Sequence, residues 1–396
     1  MRKVFFSFAF ALSALTAGAQ HYYQDYKNPE MLRHASSNDP GRKEIVLPQV
    51  NGYNVYKADL HTHTVFSDGH VLPGFRVQEA WMDGLDIMAV TEHVEYRPHE
   101  ATFVDYLDEY VSKKYDKALN NVIGEKITSE GIMVDLNYCV RQSQKAAEAY
   151  GITIIPGCEI TRNGTTVGHF NALFTTDNNT IYDPDPVKAV KNAKAQGALV
   201  LHNHPGWTRK NIDFTETEKV LYGEGLIDGV EVMNGDEFYP GIVDRTQERG
   251  LFISANSDIH TTTATEYRLT GSIRPMTLVF AKDKSLESIK EALLADRTLA
   301  LGFNTVCGEE QLLKDFFAAG VKTQVVNVDS KGRSTVMLTN CTSVTYLIKV
   351  GNSNPRYLNP FSTISIRSAE GASSLKFEVL NMFSGEKEHP TVEISF

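Results

Sequence analysis

The chain has 396 residues, 42% of them hydrophobic and 22% charged, with a formal net charge of -10, so it can bury one large core and a smaller one. An acidic surface argues against general binding to nucleic acid, where clustered Lys and Arg supply most of the affinity, and a polyanionic substrate would need local cations such as metal ions. Cys139, Cys158, Cys307 and Cys341 are too few and too scattered for a disulfide framework and form no CxxC pair, so buried free thiols are expected for most of them.

In chain order, Arg2 and Lys3 precede an apolar stretch from Val4 to Leu15 that ends in Thr16, Ala17, Gly18 and Ala19. This is the pattern of a secretory leader, cleaved before Gln20. Its apolar part is far shorter than the roughly 20 residues a membrane span needs. A secreted, periplasmic protein is expected, and because Arg2 and Lys3 leave with residues 1–19 the formal charge moves from -10 to -12. Residues 20–54 read as an N-terminal extension.

From about 55 to 300, short apolar runs alternate with helical patterns, the signature of parallel strands with helical crossovers. Strands are predicted at 55–60, 86–91, 152–156, 169–174, 198–202, 229–234, 251–255 and 276–281. Helices are predicted at 75–83, 134–150, 186–196, 215–223, 243–249 and 285–296. Residues 95–133 are too long for an ordinary strand-to-helix loop and read as a helical insertion, either a lid over the barrel or a surface excursion without a role. Period-two runs separated by Gly, Asn, Ser and Pro over 320–396 predict a small antiparallel β-sandwich.

The chemistry-bearing residues gather at strand ends. The first strand runs into Asp59-Leu60-His61-Thr62-His63, then Ser67-Asp68-Gly69. Residues two apart in a strand share a face, so His61 and His63 can present both imidazoles to one metal; alone, such a pair could equally be a buried hydrogen-bonded one. The second strand delivers His93 and the third Glu159. The fourth begins at His169, the fifth ends in His202-Asn203-His204, and the seventh ends in Asp258-Ile259-His260. In barrels of this kind the active site forms at the carboxyl ends of the strands. Imidazoles and carboxylates suit Zn, Mn or Fe, and so many ligands exceed one tetrahedral ion, so two or three divalent metal ions are expected.

These motifs resemble those of the PHP family, the polymerase and histidinol phosphatase superfamily of metal-dependent phosphoesterases. The likeness spans about residues 55–300 and includes the family's four usual motifs. It implies a distorted (β/α)7 barrel related to the TIM barrel, with up to three metals. By motif it implies His61, His63 and Asp258 on a first metal, Asp68 and His93 on a second, Glu159 as a bridging carboxylate, and His169, His204 and His260 on a third. His204, the histidine before Pro205, is the implied ligand, which leaves His202 as a core or supporting residue. Asp68 stands where some members have His, which leaves the metal's identity open. His70 and His99 fall near motifs without matching them and read as exposed.

The expected reaction is hydrolysis of a small phosphate ester by a hydroxide shared between metals. No GxSxG elbow, P-loop or Cys/His pair competes with that reading. Arg162, three residues after Glu159, is the candidate phosphate fork, and Asn203 and Trp207 are candidate pocket residues; a surface Arg and a packing Trp are the plainer readings. A bare diester charge needs less neutralisation than a monoester dianion, and with Arg162 as the one convincing cation the balance tilts towards a phosphodiesterase. A phosphomonoesterase is the alternative within the family, a metal-dependent amidohydrolase the alternative outside it. A binding protein with a degenerate barrel would have lost ligand residues, whereas every expected position is filled.

Overall fold

The computed structural model describes residues 22–25, 27–34, 41–115, 132–268 and 273–395. The expected leader and the middle of the expected insertion, 116–131, fall outside the described residues. The chain forms two compact units, Met1–Arg42 and Lys43–Phe396. In the first, β1 (Tyr22–Asp25) pairs antiparallel with β2 (Asn28–His34).

The second unit opens with β3 (Asn54–Asp59), α1 (Pro73–Met82) and β4 (Ile87–Val90). One turn of helix, α2 (Glu100–Phe103), precedes α3 (Tyr138–Ala147) and β5 (Thr153–Ile160). There follow β6 (Phe170–Leu173), α4 (Pro186–Ala195), β7 (Leu199–His202), α5 (Glu216–Gly223), β8 (Gly229–Asn234) and the short β9 (Glu237–Phe238). Next come α6 (Gly241–Arg249), β10 (Phe252–Asn256), β11 (Met276–Ala281), α7 (Leu286–Leu294), β12 (Thr298–Gly302), β13 (Thr305–Cys307) and α8 (Glu310–Gly320). Four of the described helices, α4, α5, α7 and α8, start at a side-chain cap. Asp185 accepts from the Val187 N–H with Pro186 in the first turn of α4, and Thr215 and Glu218 form a reciprocal capping box on α5.

All eight strands expected between 55 and 300 are present, but their directions differ from the expectation. One curled half-barrel sheet runs β10-β8-β7-β6-β5-β4-β3-β11-β12-β13-β20, with β9 on β8. β6 is antiparallel to both β5 and β7, and β11 is antiparallel to β3 and β12, so the sheet is mixed and not an all-parallel barrel. The cause at β6 is chain length: only residues 161–169 separate β5 from β6, too few for the crossover a parallel neighbour requires. β10, at one end of the sheet, curls back towards β11 and β3 in its middle without a continuous ladder. Thr277 Oγ1 donates to the Ala255 carbonyl at 3.0 Å, and Asn256 Oδ1 accepts from the Leu60 N–H at 2.8 Å. Beyond the strand ends, the Asp258 N–H donates to the His61 carbonyl at 3.0 Å and the His63 N–H to the Ile259 carbonyl at 3.2 Å.

The excursion expected to be helical carries, among the described residues, only α2 and a 3-10 turn at Asp108–Tyr110. Strands β12 and β13 and helix α8 were not expected. The C-terminal strands β14 (Val321–Val328), β15 (Ser334–Asn340), β16 (Tyr346–Lys349), β17 (Arg356–Leu358), β18 (Thr363–Arg367), β19 (Ser374–Val379), β20 (Met382–Phe383) and β21 (Thr391–Ser395) make two small sheets, β14-β15-β18 and β17-β16-β19-β21. β20 leaves them and pairs with β13 of the large sheet. No described helix is long and apolar enough to cross a membrane. Cys139, Cys158, Cys307 and Cys341 are unbridged, and the first three are buried.

Candidate metal centre

The strand ends converge. β3 leads into His61 and His63, β4 into His93, β7 into His204 and β10 into Asp258 and His260, while Glu159 lies near the end of β5. Because β6 runs the other way, its start lies where its neighbours finish, and this brings His169 to the same place.

Glu159 is the hub. It is fully buried, with Oε2 at 2.7 Å from His93 Nδ1, 3.5 Å from His63 Nε2 and 3.6 Å from His61 Nε2, and Oε1 at 3.1 Å from His169 Nδ1 and 3.8 Å from His204 Nε2. Asp258 Oδ1 stands 3.1 Å from both His61 Nε2 and His63 Nε2. Asp68 Oδ1 lies 3.1 Å from His260 Nε2 and 3.3 Å from His93 Nε2. Three sets of side chains gather their ligand atoms within 4.8 Å: His63, Asp68, His93 and His260; His61, Glu159 and His204; and His61, His63 and Asp258. The described residues thus group His260 with Asp68 and His93, and not with His169 and His204 as the family likeness implied.

Local backbone chemistry builds this arrangement. His204 and Asp258 sit at φ 24° and 51°, a region that costs an ordinary side chain energy and persists only when the surroundings impose it. Gly69 closes the turn that carries Asp68, and a Cβ there would stand 2.8 Å from the His63 carbonyl carbon, so only glycine fits. Three imidazoles give Nδ1 to the protein and turn Nε2 inward. His61 donates to Glu231 (2.9 Å), His63 to Ser67 Oγ (3.2 Å) and His260 to the Asp258 carbonyl (2.7 Å). That is how histidine is prepared to bind a metal through the other nitrogen.

The electrostatics fit the same purpose. Burial opposes ionisation of Glu159, Asp258 and Asp68, but the surrounding imidazoles overcome it and hold all three well below the usual carboxylate range. Burial lowers His93, yet Glu159 and Asp68 outweigh it and push it up to about 10. His61, His204 and His260 are raised in the same way. His63 goes the other way, to about 4, because burial is reinforced by the neighbouring His260 and His93, and burial lowers His169 too. Glu159 Oε2 and Asp68 Oδ1 are buried without an aligned hydrogen bond. Anionic oxygens and imidazole nitrogens held this close call for cations between them, so the residues present fit divalent metals with mixed N and O ligands.

His169 stands apart from the three ligand groups: Nδ1 faces Glu159 and Nε2 lies 2.7 Å from the Arg162 carbonyl. Arg162, read from the sequence as a phosphate fork, is committed elsewhere. Its guanidinium pairs with buried Glu95, donates to the Asp183 carbonyl at 2.6 Å and lies over the Tyr182 ring. Asn203 is 1% exposed and donates to Glu159 Oε1 (3.0 Å) and Asn171 Oδ1 (2.9 Å), so it steadies Glu159 from behind and does not line a pocket. Trp207 is 43% exposed, with its ring 5.2 Å from His204 and 5.3 Å from His169. It borders a cavity of about 570 Å³ that also reaches Asp258 and His260. His202 is buried between Glu218 (2.9 Å) and the Tyr222 hydroxyl (2.8 Å). His70 is exposed, as expected, while His99 is half-buried.

Sequence reading missed the layer behind the ligands. Glu92 accepts from Ser67, the Thr64 N–H and Cys139. Arg76, fully buried, donates to the carbonyls of His63, Ile259, His260 and Thr261. Arg274 pairs with Asp59, which also accepts from Ser257. Glu231 lies in β8, where a lone acid inside the run GVEVMN was the available signal.

A family model for the PHP domain matches residues 59–240. Among solved structures, the chain is similar to a two-domain protein from Bacteroides vulgatus containing a predicted PHP-like metal-dependent phosphoesterase. Identity is 33% and the TM-score 0.78, covering 90% of this chain and 99% of that one. Much more distant likenesses are to an amidohydrolase from Chromobacterium violaceum (14% identity, TM-score 0.35, 52% of this chain and 87% of that one) and to the lesion-specific endonuclease Q of Pyrococcus furiosus (16%, 0.38, 65% and 59%). No curated protein matches the chain.

Proposed function

Because this chain belongs to the PHP family and is a metal-dependent phosphoesterase of that family, we propose that it is a secreted phosphodiesterase acting on small phosphate esters. The observation that carries the reading is the convergence of His61, His63, Asp68, His93, Glu159, His204, Asp258 and His260 into three overlapping ligand groups. Two or three bound divalent ions would supply Lewis acidity and an acidified water for attack on phosphorus.

The protein's own side chains set the geometry for that attack. Glu159 lies beside His61, His63, His93, His169 and His204, so it is the carboxylate that would be shared between bound ions. His63, with its pKa near 4, enters as the neutral donor that a metal needs. Asp68 joins His93 and His260. His169 orients Glu159 through Nδ1 while its other nitrogen holds the Arg162 carbonyl.

The cavity supports a small, weakly charged ester. Its described lining includes the carboxylates of Asp236, Glu237 and Glu266 beside Trp207, Tyr267 and Phe303, with no Lys or Arg among those residues. A polyanion such as nucleic acid would meet repulsion on that wall. With Arg162 committed to Glu95, a diester's single charge suits this surface better than a monoester dianion. Secretion rests on the leader at residues 1–19.

The test is metal content by mass spectrometry on the purified chain, paired with hydrolysis of bis-p-nitrophenyl phosphate and p-nitrophenyl phosphate. Two or three metals with faster diester turnover are expected. In Glu159→Ala, turnover should fall by at least the roughly 10²–10³-fold that follows loss of one electrostatic stabiliser. Faster monoester turnover would reverse the diester assignment, and metal without cleavage of either ester would overturn the reading.

A further inference from the structure

We propose that Glu231 is a positioning residue for the metal centre, fixing the His61 side chain and the His204 backbone at the same time; the proposal rests on the metal reading above. Every residue of β8 is buried, and Glu231 is 0% exposed. A carboxylate in such a strand is costly unless its lone pairs are used. Here four donors take them. Oε1 accepts from His61 Nδ1 at 2.9 Å and Asn256 Nδ2 at 2.9 Å. Oε2 accepts from the His204 N–H at 2.7 Å and Asn234 Nδ2 at 2.8 Å. A carboxylate has about four acceptor positions, so none is left over.

Each of these contacts acts on a ligand. A proton held on His61 Nδ1 leaves Nε2 with its lone pair, directed to the point where Asp258 and His63 approach within 3.1 Å. The bond to the His204 amide holds that residue at φ 24°, a conformation its side chain would not otherwise keep. Asn256 extends the link, because its Oδ1 accepts from the Leu60 N–H. That closes the sheet between β10 and β3 one residue before His61. Two ligands from β3 and β7 are thus held by one side chain from β8. Glutamine cannot replace it, since its single carbonyl serves two donors while its NH2 faces the other two.

The experiment is a metal titration of the full chain, stripped with chelator and reloaded with Zn2+, for wild type and Glu231→Gln, alongside thermal unfolding of the metal-free forms. We expect Glu231→Gln to lose about 10–100-fold in Zn2+ affinity, as outer partners of metal-bound histidines do, measured at a temperature where the unfolding curve shows the metal-free variant folded. Unchanged affinity would overturn the proposal. A nitrogen-15 spectrum of histidine-labelled, Zn2+-loaded wild type tests it without a variant. A proton on His61 Nδ1 is expected, and an unprotonated Nδ1 would overturn it. If wild type binds no Zn2+ at all, the metal reading itself falls, which separates the two failures.

Discussion

Strands β8 and β15 solve the same problem in opposite ways. β15 alternates buried and half-buried residues through STVMLTN, packing Val336 and Leu338 inward, as a strand covered on one face does. β8 is buried along its whole length and still carries Glu231. In β15 the buried side chains at the centre, Val336 and Leu338, are apolar and the buried Ser334 and Asn340 sit at its ends; in β8 a buried charge survives only because four donors meet it, and what it secures is the placement of ligands. The large sheet therefore spends folding energy on geometry at its strand ends, while the C-terminal sheets contribute cohesion.

That contrast can be broken most severely from the C-terminal side. Leu338→Ala leaves a cavity in a fully buried site and should cost about 2–5 kcal/mol of stability. Metal content and turnover per folded molecule should stay unchanged, as denaturant titration beside the ester assay will show. A loss of metal in that variant would mean that the two regions are not independent.

A middle-sized effect concerns protons. In the metal-free site His93 stands at about 10, held there by Glu159 and Asp68 against the pull of burial, so near neutral pH it carries a proton that a metal must displace. Acidification then favours the proton. Apparent Zn2+ affinity should fall about tenfold per pH unit for each proton released, measurable as proton uptake by the buffer in calorimetry. Affinity flat between pH 6 and 8 would show that His93 binds no metal.

The smallest effect is expected at the cavity wall. Trp207→Ala removes ring contacts to His169 and His204, worth roughly 0.5–1.5 kcal/mol. KM should rise about two- to tenfold with little change in kcat. A fall in kcat alone would move Trp207 from substrate contact to support of the histidines.

Much of this was legible in the sequence because metal ligands follow strand ends. HxH at 61–63, Glu159, His204 and the Asp258–His260 pair all reach one place. Strand direction was not legible, since FNAL in β6 reads the same whichever way its neighbours run; the short span 161–169 was the only clue. The commitments of Arg162 and Asn203 were hidden for a different reason. Both depend on residues distant in sequence, Glu95 and Asp183 for one and Asn171 for the other, and no local pattern announces such partners. Helix α8, with Leu313, Phe316 and Phe317 on its buried side, was overshadowed by the period-two texture that follows it.

The pairing of β20 with β13 bears on self-association. A chain ending near residue 320 would keep every metal-binding strand but leave β13 with an open row of amides and carbonyls, and such rows recruit strands from other molecules. The C-terminal sheets thus lend two residues, Met382 and Phe383, as a cover for the exposed margin of the catalytic sheet, a guard against self-association rather than a part of the chemistry.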